Sequence, residues 1–169
     1  MSLELLTPAL AASEAAALGE QLRAAMREVA ASVAVVTANA GGEALGATVT
    51  SVMSASLAPP VLAVSLNRPL RVTRAIREGV LFRVNYLCDR DEEVARAFSG
   101  QIPASARFDG GDWDMDAHGA PLLRSAIANV LCRLMRVVPC GSHDLMLGLV
   151  EEVRTASGAP LLYRRGGYE

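Results

Sequence analysis

Two long extended runs, Ala126 to Val138 and His143 to Val153, are separated by little more than Pro139 to Ser142. So short a link predicts that they pair antiparallel. The strand pattern recurs upstream. Val33, Val35 and Val36 form a β-branched run, Asn39 to Gly42 supplies turn residues, and Ala47 to Val52 resumes an extended pattern, so a hairpin is predicted there. Pro59 and Pro60 lead into a further strand, Val61 to Leu66, because prolines cost no ladder bonds where a strand begins. Leu81 to Leu87 reads as a buried strand.

The helices predicted between these strands are short. Leu18, Leu22, Met26 and Val29 fall on one face of a helix from about Ser13 to Ala31, which should cap a core. Val72, Ala75 and Ile76 share a face of a helix over Arg71 to Glu78, with Gly79 after its end. Asp89 and Glu92 have capping-box spacing for a helix through Val94 and Ala97 that ends near Phe98. Gln101 to Ala120, rich in Gly, Asp, Ala and Pro, reads as a long surface excursion. Six or so strands, hairpin connections and short helices predict a closed or nearly closed antiparallel barrel. No Gly-x-Gly-x-x-Gly turn occurs, so a nicotinamide cofactor would not be held in the Rossmann manner.

Composition narrows the function. The 169 residues suit one domain, residues 1–169, with residues 1–20 as an N-terminal helical extension. Net charge is −2 and the sixteen basic residues are scattered, which argues against nucleic-acid binding. About half the residues are apolar, yet no run approaches a membrane span of roughly 18 residues. The first residues lack a basic region ahead of an apolar core, so a cytoplasmic protein is expected. Cys88, Cys132 and Cys140 form no Cys-x-x-Cys pair and are read as reduced structural thiols. The acidic run Asp109 to Asp116 has no metal-ligand spacing, and no metal is expected.

Gly46 to Pro60 is the most informative segment. Five of the nine residues from Thr48 to Ser56 are Ser or Thr. Hydroxyls and backbone amides on such a strand-to-loop stretch can pair with the polar edge of a ring ligand such as a flavin; a solvated edge strand is the plainer alternative.

The ordered series Val33 to Thr37, Gly46 to Pro60, Val61 to Arg68, Phe82 to Tyr86 and Ala97 to Gly100, then Pro121 to Leu123, Gly141 to His143 and Pro160 to Arg164, resembles the flavin-reductase-like, FMN-binding split-barrel family. The likeness runs from about Gln21 to the end. Within that family the chain is similar to the short-chain NAD(P)H:flavin oxidoreductases that serve two-component monooxygenases.

The resemblance implies a mainly β fold with short helices, an antiparallel split β-barrel, homodimeric, with flavin at the subunit interface. It implies hydride transfer from NADH or NADPH directly to FMN or FAD, with no catalytic side chain, and delivery of reduced flavin to a partner monooxygenase in aromatic or secondary metabolism. By the same resemblance Thr48, Val49, Thr50 and Ser51 lie along the isoalloxazine. Ala55, Ser56, Ser65, Leu66 and Asn67 help form the pocket, and Asn85, Phe98 and Ser99 line its far side. Pro69-Leu-Arg-Val72 departs from the family, whose members carry phosphate-binding hydroxyls there; Arg71 and the following helix end are the remaining anion holders. His143, in a Gly-x-His placement, corresponds to a nicotinamide-nucleotide contact, with Asp144, Tyr163, Arg164 and Arg165 as further NAD(P)H-binding positions. The alternatives are a flavin carrier or sensor without turnover, and an FMN-dependent oxidase on the same fold.

Overall fold

The computed structural model describes residues 12–115 and 119–169. After helix α1 (Ala12–Glu28) the chain runs through β1 (Ala31–Ser32), β2 (Ala34–Ala40), β3 (Glu43–Val49), β4 (Val52–Leu57) and β5 (Pro60–Asn67). Helix α2 (Arg71–Arg77), strand β6 (Phe82–Tyr86) and helix α3 (Glu92–Arg96) follow. The remaining strands are β7 (Trp113–Asp114), β8 (Leu122–Leu123), β9 (Ala128–Cys140), β10 (His143–Thr155), β11 (Leu162–Arg164) and β12 (Gly167–Tyr168). Among the described residues no helix is long and apolar enough to cross a membrane.

Seven strands form one antiparallel sheet in the order β3-β2-β6-β9-β10-β5-β4. Its two edges, β3 and β4, are consecutive in the chain and joined by Thr50 and Ser51 alone. Three Cα steps reach at most about 11 Å. Across a flat sheet the edges would stand about 29 Å apart, at roughly 4.8 Å per strand. The sheet is therefore rolled until its edges meet at that corner. The ring of ladders is not closed as expected, because β3 pairs only with β2 and β4 only with β5. Ala47 to Val52 is accordingly not one strand: it breaks at Thr50, and its two halves run to opposite edges.

Alternation along β2 shows how the layers are filled. Ala34, Val36 and Ala38 point into the roll, where they meet Leu45, Val64, Phe82, Val84 and Met146, while Val72 and Ile76 of α2 plug one end. Val33 and Val35 point outward to a second cluster with Leu87, Val94, Phe98, Leu123 and Leu161. The roll is tight at Gly148, where a Cβ would lie 2.5 Å from Phe82 Cζ. Cys88 and Cys132 are buried free thiols and Cys140 is an exposed one; burial pushes the Cys132 thiol up to about 12.

Several local expectations are corrected. The apolar stripe of α1 caps no core of this chain: Leu18, Leu22, Met26 and Val29 are each half exposed or more. The cap before α3 is shifted from Asp89, because the Asp91 carboxylate accepts the Cys88 N–H at 2.9 Å. The helix does not stop at Phe98 but widens through Ala97–Gln101 to Gly100 at φ 96°. The excursion after it is anchored, with Phe108 and Trp113 packed on the second cluster and β7 paired to β8. Of its acids, Asp112 and Asp114 pair with Arg124, and Asp116 lies outside the described residues.

Candidate functional site

Rolling without closure leaves a split. β4 covers β5 only from Pro60 to Val64, so Ser65, Leu66 and Asn67 have β10 on one side and no strand on the other. β3 faces this gap with its own unpaired edge. The corner at Thr50 and Ser51 closes the gap at one end: Ser65 N donates to Ser51 O at 3.0 Å, and Ser51 Oγ donates to Ser65 O at 3.2 Å. At the other end Asn67 stands opposite His143 in the ladder. The His143 Nδ1 lies 2.9 Å from Ser142 Oγ, and Arg68 N donates to Ser142 O at 3.1 Å. Ser51, Ser65, Asn67 and His143 thus share one solvent-accessible polar rim.

Two cavities flank β3. The smaller, 310 Å³, gathers Thr48, Val49, Thr50 and Ser99 with Tyr163 and Tyr168. Tyr163 and Tyr168 come from the terminal hairpin of β11 and β12, their rings 5.2 Å apart, and Arg96 sits 5.3 Å over the Tyr168 ring. Thr48 Oγ1 donates to Ala95 O at 2.7 Å and Ser99 Oγ to Arg96 O at 2.8 Å, so both hydroxyls keep only acceptor capacity for a ligand. Thr50 is exposed, and its hydroxyl has no partner among the described residues.

The larger cavity, 770 Å³, lies between the start of β3 and the approach to α2, lined by Glu43, Gly46, Arg71, Arg107 and Phe108. Arg71 forms a two-pronged ion pair with Glu43. That hydrogen bond holds the Glu43 carboxyl below the usual carboxylate range and raises the Arg71 guanidinium. Among the described residues the buried Arg107 Nε has no partner, and its NH1 reaches Gly46 O at 3.5 Å. Gly46 is needed where it stands, since a Cβ would lie 2.5 Å from Phe98 Cε1.

The other sequence-predicted residues separate from these cavities. Asn85 is sealed in the interior: its Nδ2 donates to Val35 O and Thr37 Oγ1, each at 3.1 Å, and its Oδ1 accepts from Leu123 N at 3.0 Å and Asn129 Nδ2 at 2.9 Å. Phe98 is a core aromatic packed on Phe108 and Trp113. Leu66 points into the roll. Asp144 is fully buried and holds Arg68 Nε at 3.0 Å and Arg77 NH1 at 2.8 Å. Ala55 sits at a bulge in β4, and Ser56 Oγ accepts the Ala58 N–H at 3.2 Å, away from the split. Arg165 pairs with Glu28 at 2.8 Å, while the buried Nε of Arg164 has no partner among the described residues. Glu43, Arg68 and Arg77 were not legible as site residues, because each meets its partner, Arg71 or Asp144, only through the folding of distant segments onto one another; Arg96, Arg107 and Tyr168 carry no local motif that marks them as lining a cavity.

The chain thus presents a rolled, unclosed antiparallel sheet with a hydroxyl-lined split and two arginine-bearing cavities. Residues 26–169 match the model of the flavin reductase like domain, and the chain belongs to that family. It is 39% identical over 145 residues to the FMN reductase (NADH) RutF 2 of Methylorubrum extorquens (strain PA1), covering 85% of this chain and 84% of that one. It superposes at a TM-score of 0.82 on the NADH:FAD oxidoreductase SgcE6 of Streptomyces globisporus C-1027 in complex with NAD and FAD fragments, with 27% identity, 89% of this chain and 91% of that one. A nitrilotriacetate monooxygenase component B homologue from Mycobacterium thermoresistibile gives a TM-score of 0.83 at 25% identity, over 92% of this chain and 87% of that one.

The interior position of Asn85 is testable. Asn85→Ala strands the amide of Leu123 and the side chain of Asn129, and is expected to lower unfolding free energy by about 2–4 kcal/mol in urea titrations. Flavin affinity of the fraction that folds should stay within about twofold, a change of under half a kcal/mol. A selective loss of flavin affinity at unchanged stability would put Asn85 in the pocket wall instead.

Proposed function

We propose that this flavin reductase passes hydride from NADH to an exchangeable FMN or FAD and releases the reduced flavin to a separate monooxygenase component. The observation that carries the reading is the split itself, whose unpaired β3 edge and hydroxyl rim at Thr50, Ser51 and Ser65 offer donors and acceptors in alternation. The edge of an isoalloxazine needs that alternation. Arg107 in the wall of the larger cavity, its Nε without a partner among the described residues, fits an anionic tail on the same ligand.

Bound flavin supplies the hydride acceptor, and the donor is the dihydronicotinamide. The chain's own task is orientation. Thr50, Ser51 and Ser65 fix the flavin edge, and His143 on the same rim hydrogen-bonds the nicotinamide nucleotide through Nε2, since Nδ1 is engaged by Ser142. Asp144 acts one step back by fixing Arg68 beside Asn67. No proton need be moved by a side chain, and a site without an acid-base pair suffices. Release follows from a weak anchor: Pro69 contributes no hydroxyl and Arg71 is taken by Glu43.

Delivery to a monooxygenase rests on the likeness to the nitrilotriacetate monooxygenase component B homologue. The test is anaerobic reduction of excess flavin with NADH followed by ultrafiltration. Many equivalents of reduced FMN or FAD per chain should pass into the filtrate. Reduction that stops at one retained equivalent would contradict exchange, and no reduction with either flavin would contradict the activity.

The same reading includes a homodimer, supported by the uncovered stripe of Leu18, Leu22, Met26 and Val29 on α1 and by exposed Met53 and Leu57 on β4. Sedimentation equilibrium at micromolar concentration should give twice the mass of the chain, with Leu22→Glu shifting it toward monomer. A wild-type monomer that still reduces flavin would remove the dimer from the account.

A further inference from the structure

Resting on the flavin reading above, we propose that Glu43 is a specificity-determining residue that occupies Arg71 in place of the ligand's phosphate, so that phosphorylated and unphosphorylated flavins are bound on nearly equal terms. The larger cavity carries two guanidinium groups, Arg71 and Arg107, and Glu43 as the carboxylate among its lining residues. Both Glu43 oxygens meet both terminal nitrogens of Arg71, the arrangement two phosphate oxygens would adopt on the same fork. The side chains are 60% and 53% exposed, so this pair contributes little to folding stability and its carboxylate is free to swing aside into solvent. Arg107 is the less satisfied half of the site, with a buried Nε that has no partner among the described residues.

A phosphate ester entering this cavity is drawn by Arg107 and Arg71 and repelled by Glu43, which must swing away before Arg71 can turn to the ligand. A ligand without phosphate leaves the ion pair undisturbed. Glu43 thereby cancels much of the advantage a phosphate would otherwise confer, and keeps the flavin exchangeable. No bond is made or broken in this step; a carboxylate is exchanged for a phosphate on one guanidinium.

The experiment compares dissociation constants of FMN and riboflavin, measured by flavin fluorescence on the full chain, for wild type, Glu43→Gln, Arg71→Gln and the double variant. Melting temperatures check that each variant is folded. In Glu43→Gln the ratio of riboflavin to FMN dissociation constants should rise about five- to tenfold, the scale of one freed charge-assisted contact. Arg71→Gln should lower the ratio, and in the double variant the gain should vanish. Inorganic phosphate is titrated in parallel against the fluorescence of Trp113, the chain's one tryptophan, whose ring lies 5.1 Å from that of Phe108 in the cavity wall. Phosphate should bind more tightly to Glu43→Gln than to wild type. A folded Glu43→Gln whose flavin ratio and phosphate affinity both match wild type overturns the proposal. If no flavin binds to any form while phosphate still tightens in Glu43→Gln, the anion site stands and the flavin reading falls.

Discussion

Two residues, Thr50 and Ser51, carry the chain from one edge of a seven-stranded sheet to the other. Everything that distinguishes this molecule follows from that short reach. It forces the sheet to roll, sets β3 beside the upper part of β5, and leaves a gap that the ladder does not fill. The corner is held by the paired bonds between Ser51 and Ser65, so the two strands bordering the split are fixed to each other at its base. A longer loop would let the edges drift apart, and a ladder between β3 and β4 would seal the site.

Buried polar groups hold the walls in place. Asn85 ties β6 to β2, to Asn129 of β9 and to the segment at Leu123 through four hydrogen bonds, and Asp144 draws Arg68 and Arg77 together where β5, β10 and α2 converge. Such groups are costly to leave unpaired, so each specifies one arrangement of the elements it joins. Thr50 and Arg107 line the two cavities, where a ligand can reach them.

Much of this was legible in the sequence. The β9 and β10 hairpin, the helix beginning at Arg71 with Gly79 beyond its end, and the hydroxyl-rich stretch at Thr48 to Ser51 all follow from local pattern. Position relative to the roll was not legible. Asn85 and Asp144 are polar residues in a motif-bearing neighbourhood, and only their place in the register decides that Asn85 is buried beneath the second cluster beside Val35 and that Asp144 shares the face of Leu66 and Met146 in the roll. The stripe on α1 had the right period for packing, but nothing in a single chain says against what it packs. The Glu43 and Arg71 pair spans 28 residues and arises because α2 crosses the open end of the rolled sheet beside β3. The C-terminal hairpin escaped notice because β11 and β12 are too short to show a period.

The account stands on the split being where flavin binds. Amide hydrogen exchange with and without saturating FMN reads this directly, since the edge of β3 and the uncovered part of β5 expose backbone that a ligand would protect. Exchange should slow at residues 48–51 and 65–68 and stay unchanged in the interior ladder of β6 with β9. Protection confined to other segments, with residues 48–51 and 65–68 exchanging as freely as before, would contradict it.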